Sequence, residues 1–454
     1  MGREFAYQAV YRYLETLITQ THPCGDARLP SLRDLSIRLQ VSLATVQSAY
    51  SLLEREGRVV SVPRSGYFVH SRSGGGAVDA SVSWAPGASF SLPSPCSPSL
   101  ERALLAHERR LVRQAARLPL AGRVTGSSVL RNVLAARHTR SSSQYWNADD
   151  VHLATDVHAL VQTLCAALAL REATALVATP CCWRLLQALR QSGVRVVETP
   201  FVEHGGLDLA AIERALRLEP VQLILLPSCL GMPVGRLLPQ QQLRELGRLL
   251  EHRPTWLLEN DLDSEHCFST PPARRLRDWV DPQRLLVLGS LDSVIGAEAP
   301  YAYVLGRHAQ LREAVALRGF VLPPLRQQAV AQLFSRGDVD SHLLHLRGEL
   351  AARMAQLCHE VARQLADYLA FEPPAGGRVL WCRLYRPVDA RRLVSAMAGT
   401  ALSIAPGDVF SLRGAYQHYV LLAWVGERPS ELRQAIGKLG QVLAATAGSV
   451  PSGR

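Results

Sequence analysis

The side chains able to do chemistry fall into three sets. One is an acidic run, Glu259-Asn260-Asp261-Leu262-Asp263-Ser264-Glu265, with Ser293 as a further candidate; carboxylates so spaced can serve as acid–base groups or hold a polar ligand. A second is the thiols Cys181, Cys182, Cys229 and Cys267, each placed just after an apolar β-rich run, where they could sense oxidants or a metal or simply be small buried hydrophobes. The third lies within residues 29–69, where Arg33, Ser42, Leu43, Thr45, Gln47, Arg64 and Gly66 combine base-reading and phosphate-contacting groups. No HExxH, GxSxG or Walker pattern accompanies them, so no familiar hydrolytic or nucleotide-hydrolysing arrangement is present. Nine cysteines without repeated CxxC or Cys/His spacing fit neither a disulfide framework nor a zinc site.

The elements that must position the third set are legible. Leu32, Leu35, Ile37 and Leu39 predict a short apolar-faced helix opened by Ser31. Val41 and Ser42 make a turn, and Val46, Ala49, Tyr50, Leu52 and Leu53 recur at three and four to predict a second helix stopped by Gly57. Val59, Val60 and Val62, then Tyr67, Phe68 and Val69, predict two strands around Pro63-Arg64-Ser65-Gly66, a hairpin with a basic tip. Helix, turn, helix and wing is the layout of a DNA-reading head. The stretches LPSLR (Leu29 to Arg33), VSLATV (Val41 to Val46) and RSGYFV (Arg64 to Val69) resemble the LPS-x-R, VS-x-x-TV and R-x-G-x-Y-V-like wing motifs of the GntR group of winged helix-turn-helix regulators.

Under that resemblance the N-terminal turns of the second helix enter the major groove. Ser42, Leu43, Thr45 and Gln47 are then the exposed candidates, Gln47 for a bidentate pair with adenine. Arg33 and Arg64 suit phosphates, and Gly66 lets the wing backbone approach the duplex. Many members of the group carry arginine where this chain has Leu43, and another near Gln47; their guanine contacts are not expected here.

Length and composition set the frame for the rest. The chain has 454 residues, more than a single core usually holds, and its net charge of +11 favours a polyanionic partner. No apolar run reaches membrane-spanning length and the start lacks a signal-peptide layout, so a cytoplasmic protein is expected, with no membrane partner. Residues 5–20 predict a first helix, completing a head over 1–70. Residues 71–97, rich in Gly, Ser and Pro, predict a linker. From 100 to 140 arginines crowd, among them Arg109, Arg110, Arg113, Arg131 and Arg137; a solvated helix face with salt bridges across a dimer is preferred over a supplementary DNA track.

Farther on, apolar runs at 174–178, 194–197, 221–226, 255–258 and 285–288 alternate with helical patterns at 158–170, 182–192 and 239–251, predicting a mostly parallel sheet covered on both faces. A smaller α+β part follows, with a long helix over about 340–369, strands in GGRVLWCRL and HYVLLAWVG, and a closing helix over about 429–445. This order, with ATPCCWRLLQALRQSGVRVVETP, ENDLDSE and PPAGGRVLWCRL, resembles the fold-type I aminotransferases, and joined to a GntR-like head it resembles the MocR subfamily of regulators. The expected fold is multidomain: a winged helix-turn-helix α+β head plus an α/β aminotransferase-like body over 98–454, its large part at about 98–335 and its small part at about 340–454.

The resemblance implies pyridoxal phosphate (PLP) held by a lysine, and that expectation fails position by position. Ser293 stands at the lysine position and Pro300 at that of a phosphate arginine. Asn260 and Leu262 replace the aspartate and tyrosine that face the ring, Asp156 replaces a phosphate-cradling glycine, and Met232 replaces an asparagine. Cys182 falls at the ring-stacking tyrosine, unless Trp183 substitutes, and Leu421 at the carboxylate-binding arginine. The whole chain holds one lysine, Lys438, in the closing helix pattern, and serine cannot form a Schiff base. The expectation is therefore no cofactor, no catalysis and no metal. Three readings of the crevice stay open. Another ligand could be held by Asp156, His158, Trp183, Asn260, Ser293, Asp261, Asp263 and Glu265. The pocket could instead be filled by Met232, Leu262 and Leu421, leaving a dimerisation scaffold; or the thiols could act as a sensor. The expected function is a DNA-binding regulator, a homodimer on a double-stranded operator; the alternative is a PLP-responsive regulator or an aminotransferase-like enzyme holding cofactor non-covalently.

Overall fold

In the computed structural model the described residues are 10, 13–14, 29–55, 59–62, 66–69, 90, 92, 96–114, 126–202, 206–251, 253–386 and 388–447. They fall into two compact units, residues 1–84 and 85–454. Most of the expected first helix and linker, and Gly57 and Arg64, lie outside the described residues.

In the first unit, Ser31 caps the helix Leu32–Leu39 by accepting from the Asp34 amide, as its position before a periodic run predicts. Gln40, in the left-handed region at φ 52°, ends it, and the helix Leu43–Arg55 follows. Leu35, Val46, Ala49, Tyr50 and Leu53 close a small core with Val10 and Leu14. Ile37, expected on the apolar face, is 78% exposed. Two residues beyond Leu35, it is turned about 200° around the helix axis and faces out. The strands Val59–Val62 and Gly66–Val69 pair antiparallel, with Val62 opposite Gly66. The wing is tied to the helices: Tyr67 stacks on Tyr50 with centroids 4.3 Å apart, its carbonyl accepts from Leu29 N at 2.8 Å, and Tyr50 Oη donates to Pro30 O at 2.6 Å.

The second unit centres on a seven-stranded sheet in the order Val151–Ala154, Ala302–Leu305, Leu285–Ser290, Trp256–Asn260, Val221–Pro227, Thr174–Thr179, Arg195–Pro200. The last five are mutually parallel; Ala302–Leu305 runs antiparallel to both its neighbours. Helices including Val157–Ala167, Trp183–Gln191 and Gln240–Leu250 connect the strands. Thr174–Thr179 and Leu285–Ser290 are buried along their whole length, which is why they read as continuous apolar runs. The smaller sheet, Leu369–Phe371, Leu380–Leu384, Tyr419–Trp424 and Leu402–Pro406 in spatial order, is antiparallel. The helix Asp338–Leu365 joins the two lobes. Leu343, Leu346 and Leu350 belong to the large core, and Met354, Leu357, Val361 and Leu365 to the small one. The two cores thus share this helix, which the sequence reading assigned to the small part alone. Among the described residues no helix is long and apolar enough to cross a membrane.

Candidate functional site

Two places carry the residues singled out by sequence. In the head, Ser42 sits just before the second helix; its Oγ accepts from Thr45 N at 3.2 Å and lies 2.7 Å from Thr45 Oγ1. Both hydroxyls are thereby engaged in capping, and Thr45 is half-buried. Ser48 Oγ donates to Ala44 O at 2.9 Å. What faces outward from the first turns is Leu43, 45% exposed, with Ala44, Gln47 and Ser48, while Val46 and Ala49 turn into the core. Arg33 is exposed in the first turn of the preceding helix, and Gly66 opens the second wing strand.

The other place is the C-terminal edge of the parallel strands, where open α/β sheets bind ligands. Here the structure shows what each residue singled out by sequence does. Asp156 caps the helix Val157–Ala167: its Oδ1 accepts from Ala159 N at 2.8 Å, so a carboxylate already occupies the N-terminus at which an anion would sit. Ser293 is buried and turns back on its own strand, Oγ donating to Ser290 O at 2.8 Å. His266 Nε2, 2.6 Å from Ser293 O, packs behind it with its Nδ1 3.4 Å from Asp263 Oδ1. Asn260 Oδ1 accepts from Leu262 N at 3.2 Å, a local turn that uses the side chain where it stands. Met232 lies against Gly377: a β-carbon there would come within 2.7 Å of Met232 Cε, and φ of +98° also favours glycine. Leu262 packs on the large core, and Leu421 is buried in its strand between Trp381 and Ala405. Cys182 precedes the helix Trp183–Gln191 without capping it, and Pro300 is exposed. Lys438 lies exposed on the closing helix Pro429–Ala447. These side chains do not fit PLP: the Asp156 carboxylate holds the helix N-terminus, the Ser293 hydroxyl is engaged with Ser290 O, and the single lysine lies on the closing helix.

The acidic run is engaged by arginines that sequence reading did not connect to it. Arg277, wholly buried, donates through Nε and Nη2 to Glu259 Oε1 at 3.0 and 2.9 Å, and its Nη2 lies 2.5 Å from Asp261 Oδ2. Arg275 Nη1 reaches both Asp261 oxygens at 3.1 Å. Glu265 accepts from Arg347 at 2.6 Å and from Arg137 at 3.1 Å. Burial alone would raise the Asp261 carboxyl, but Arg277 and Arg275 hold it well below the usual range; at Glu259 burial prevails over Arg277 and the carboxyl is raised. Arg277 Nη1 donates to His138 Nδ1 at 2.8 Å, so His138 carries its proton on Nε2, 3.0 Å from Tyr303 Oη; burial and then Arg277 keep the ring neutral. Asp261 and Glu265, considered for ligand binding, are thus held in internal ion pairs. His158 is likewise occupied, its Nε2 2.9 Å from Gln191 Oε1. The only signal of the partners is the cluster Arg274-Arg275-Leu276-Arg277, which reads as surface charge until the fold buries it.

The four thiols do not meet at one edge. Cys229 and Cys267 are fully buried with Leu230 beside Met232 and Leu237, and Cys229 Sγ donates to Ser264 Oγ at 3.3 Å. Cys181 belongs to the large core, and burial pushes its thiol up. Among the described residues no group of three or more His, Cys, Asp or Glu is arranged to hold a metal. One further contact had no sequence signal. Glu198 accepts from Ser411 Oγ and Leu412 N, both at 2.6 Å, and from Arg413 N at 3.2 Å, while Tyr416 Oη donates to Thr179 O at 2.8 Å and Cys181 N to Phe410 O at 3.0 Å. Residues 410–416 of the small lobe are in this way fastened over the strand ends. Of the arginine-rich stretch, Arg110, Arg131 and Arg137 find partners within the unit, at Gln332, Ala148 O and Asp340.

Comparison with known proteins agrees with both units. Residues 6–69 match the family of bacterial regulatory proteins, gntR family, and residues 95–416 match aminotransferase class I and II. The uncharacterized HTH-type transcriptional regulator YjiR of Escherichia coli (strain K12) is 26% identical over 469 aligned residues, covering 95% of this chain and 98% of the relative. YdcR of the same strain, of the same description, is 28% identical, covering 92% and 95%. The probable rhizopine catabolism regulatory protein MocR of Rhizobium meliloti is 25% identical over 59% of this chain and 54% of its own. Among solved structures, the α-aminoadipate aminotransferase LysN of Thermus thermophilus superposes with a TM-score of 0.70 at 19% identity, over 80% of this chain and 93% of that one. An archaeal alanine:glyoxylate aminotransferase gives 0.70 at 15% identity, over 88% and 95%. The chain therefore belongs to the aminotransferase class I and II family, and carries ahead of that body a domain of the bacterial regulatory gntR family.

Proposed function

We propose that this protein is a DNA-binding transcriptional regulator whose aminotransferase-fold body has lost PLP chemistry and serves as a dimerisation scaffold. The observation that carries the first half is the head: a helix whose first turns expose Leu43, Ala44 and Gln47, held against a wing by the Tyr50–Tyr67 stack. What supports the second half is Asp156 on the helix N-terminus, Ser293 turned back on its strand, the single lysine lying on the closing helix, and Asp261 and Glu265 bound to arginines. Non-covalent PLP binding has no comparable support, because a phosphate would meet the Asp156 carboxylate. The body's external face supplies a reason for pairing: Leu105 and Val112, seven residues apart on the helix Pro98–Gln114, are 39% and 60% exposed. Two heads carried by one dimer would read two half-sites.

The test is direct. Full-length protein recovers specific duplexes from sheared DNA of its own host, and protein titrated with PLP develops no aldimine absorbance. A borohydride-stable PLP adduct, or retention of specific DNA binding after removal of residues 1–72, would refute the corresponding half.

A further inference from the structure

The outward face of the first turns of the second head helix is uncharged, where a DNA reader usually carries charge. Ser42 and Thr45 spend their hydroxyls on each other and on the helix cap, and Ser48 spends its own on Ala44 O. Among the described residues Gln47 has no intramolecular partner, and Leu43 is 45% exposed at the first helical position, beside exposed Ala44. No arginine or lysine lies between Val41 and Glu54. Guanine is read most often by a bidentate Arg or Lys at O6 and N7, which this surface cannot supply. An exposed aliphatic group beside a free carboxamide matches a different pattern in the major groove: the C5-methyl of thymine next to the N6 and N7 of adenine.

We propose that Leu43, with Ala44 beside it, reads a thymine C5-methyl, and that Gln47 pairs with a neighbouring adenine, so the head selects thymine- and adenine-bearing steps where this helix meets its site. This rests on the DNA-binding reading above and adds its base chemistry. Among the described residues the other exposed large apolar side chain of the head, Ile37, lies on the preceding helix. Covering one methyl removes about as much apolar surface as one methylene, which corresponds to about fourfold in affinity.

The test starts from duplexes that the full-length protein selects out of a random-sequence pool. The recovered duplex is resynthesised with deoxyuridine in place of each thymidine in turn, which removes only the C5-methyl, and binding is followed by fluorescence anisotropy. At least one substitution weakens wild-type binding by about fourfold, L43A loses sensitivity at that position, and Q47A keeps it. Circular dichroism and low-salt binding to unrelated DNA establish that both variants remain folded. Indifference of the wild type to every substitution, or undiminished sensitivity in L43A, overturns this inference alone. Failure to select any duplex overturns the DNA-binding reading and this inference with it.

Discussion

Replacing Arg277 by methionine removes a cation that is wholly buried and donates to Glu259, Ser228 and His138, with Asp261 alongside. Methionine fills a similar volume without charge, so the loss lies in what stays behind. Glu259, fully buried, keeps no counterion, and Asp261 retains only Arg275. Stranding a buried charge in this way costs about 3–5 kcal/mol, a shift of roughly 10² to 10⁴ in the unfolding equilibrium. For a body of this size it corresponds to roughly 4–6 °C in melting temperature. Six of the seven tryptophans lie at or beyond residue 146 and none lies before residue 84, so tryptophan fluorescence during urea or thermal unfolding reports chiefly on the body and not on the winged head. The companion variant is E259L/R277M, which removes both charges while Asp261 keeps Arg275; replacing a buried pair by apolar groups is often neutral, so it recovers most of the loss. DNA affinity of the folded single variant stays at the wild-type level. If R277M is as stable as wild type, or the double variant is no more stable than R277M, these acids are not held as internal ion pairs and a ligand-binding role for them regains ground.

Other outcomes follow from the same geometry. His152 is buried against Gly306 O, and burial lowers its pKa to about 4; the fold therefore favours the neutral ring. Its contribution is fully present above about pH 6.5 and is lost as pH falls toward 4, up to about 3 kcal/mol; H152Q flattens the decline in melting temperature across that window, and an unchanged slope contradicts the assignment. In the head, R33A weakens specific and nonspecific DNA alike and lowers the dependence of binding on salt, whereas Q47A changes base preference; equal effects of both variants on specific and nonspecific duplexes would remove the distinction between phosphate and base contacts. D156A loses its cap and about 1 kcal/mol of stability in urea unfolding, and a cost near zero would mean the aspartate is not serving the helix.

The head was legible because its signals are local. Ser31, the turn at Val41-Ser42 and the strands around residues 63–65 each act within a few residues, and the three- and four-residue spacing names the faces. It failed at Ile37, which counts as apolar but falls opposite Leu35. The parallel strands were legible because a strand buried on both faces is a continuous apolar run. The antiparallel strands Val151–Ala154 and Ala302–Leu305 were missed, being only four residues each. The helix of 28 residues that the sequence reading assigned to the small part alone serves both cores, and its apolar stripe carries no mark where the partner changes.

The lone lysine is a property of the sequence alone, and with it the expectation that a Schiff base has nowhere to form; so is the order of winged head, linker and alternating body. Tertiary structure decided what the residues singled out by sequence do. Alternation along the strand Trp256–Asn260 and the turn after it places Glu259 and Asp261 beside arginines 14 and 18 residues onward, while Asn260 serves its own turn. Glu198 meets residues 411–413 more than two hundred positions away. A periodicity records which face an element buries, but which charge waits on the other side is a fact about two distant segments at once, and only the packed chain brings them together.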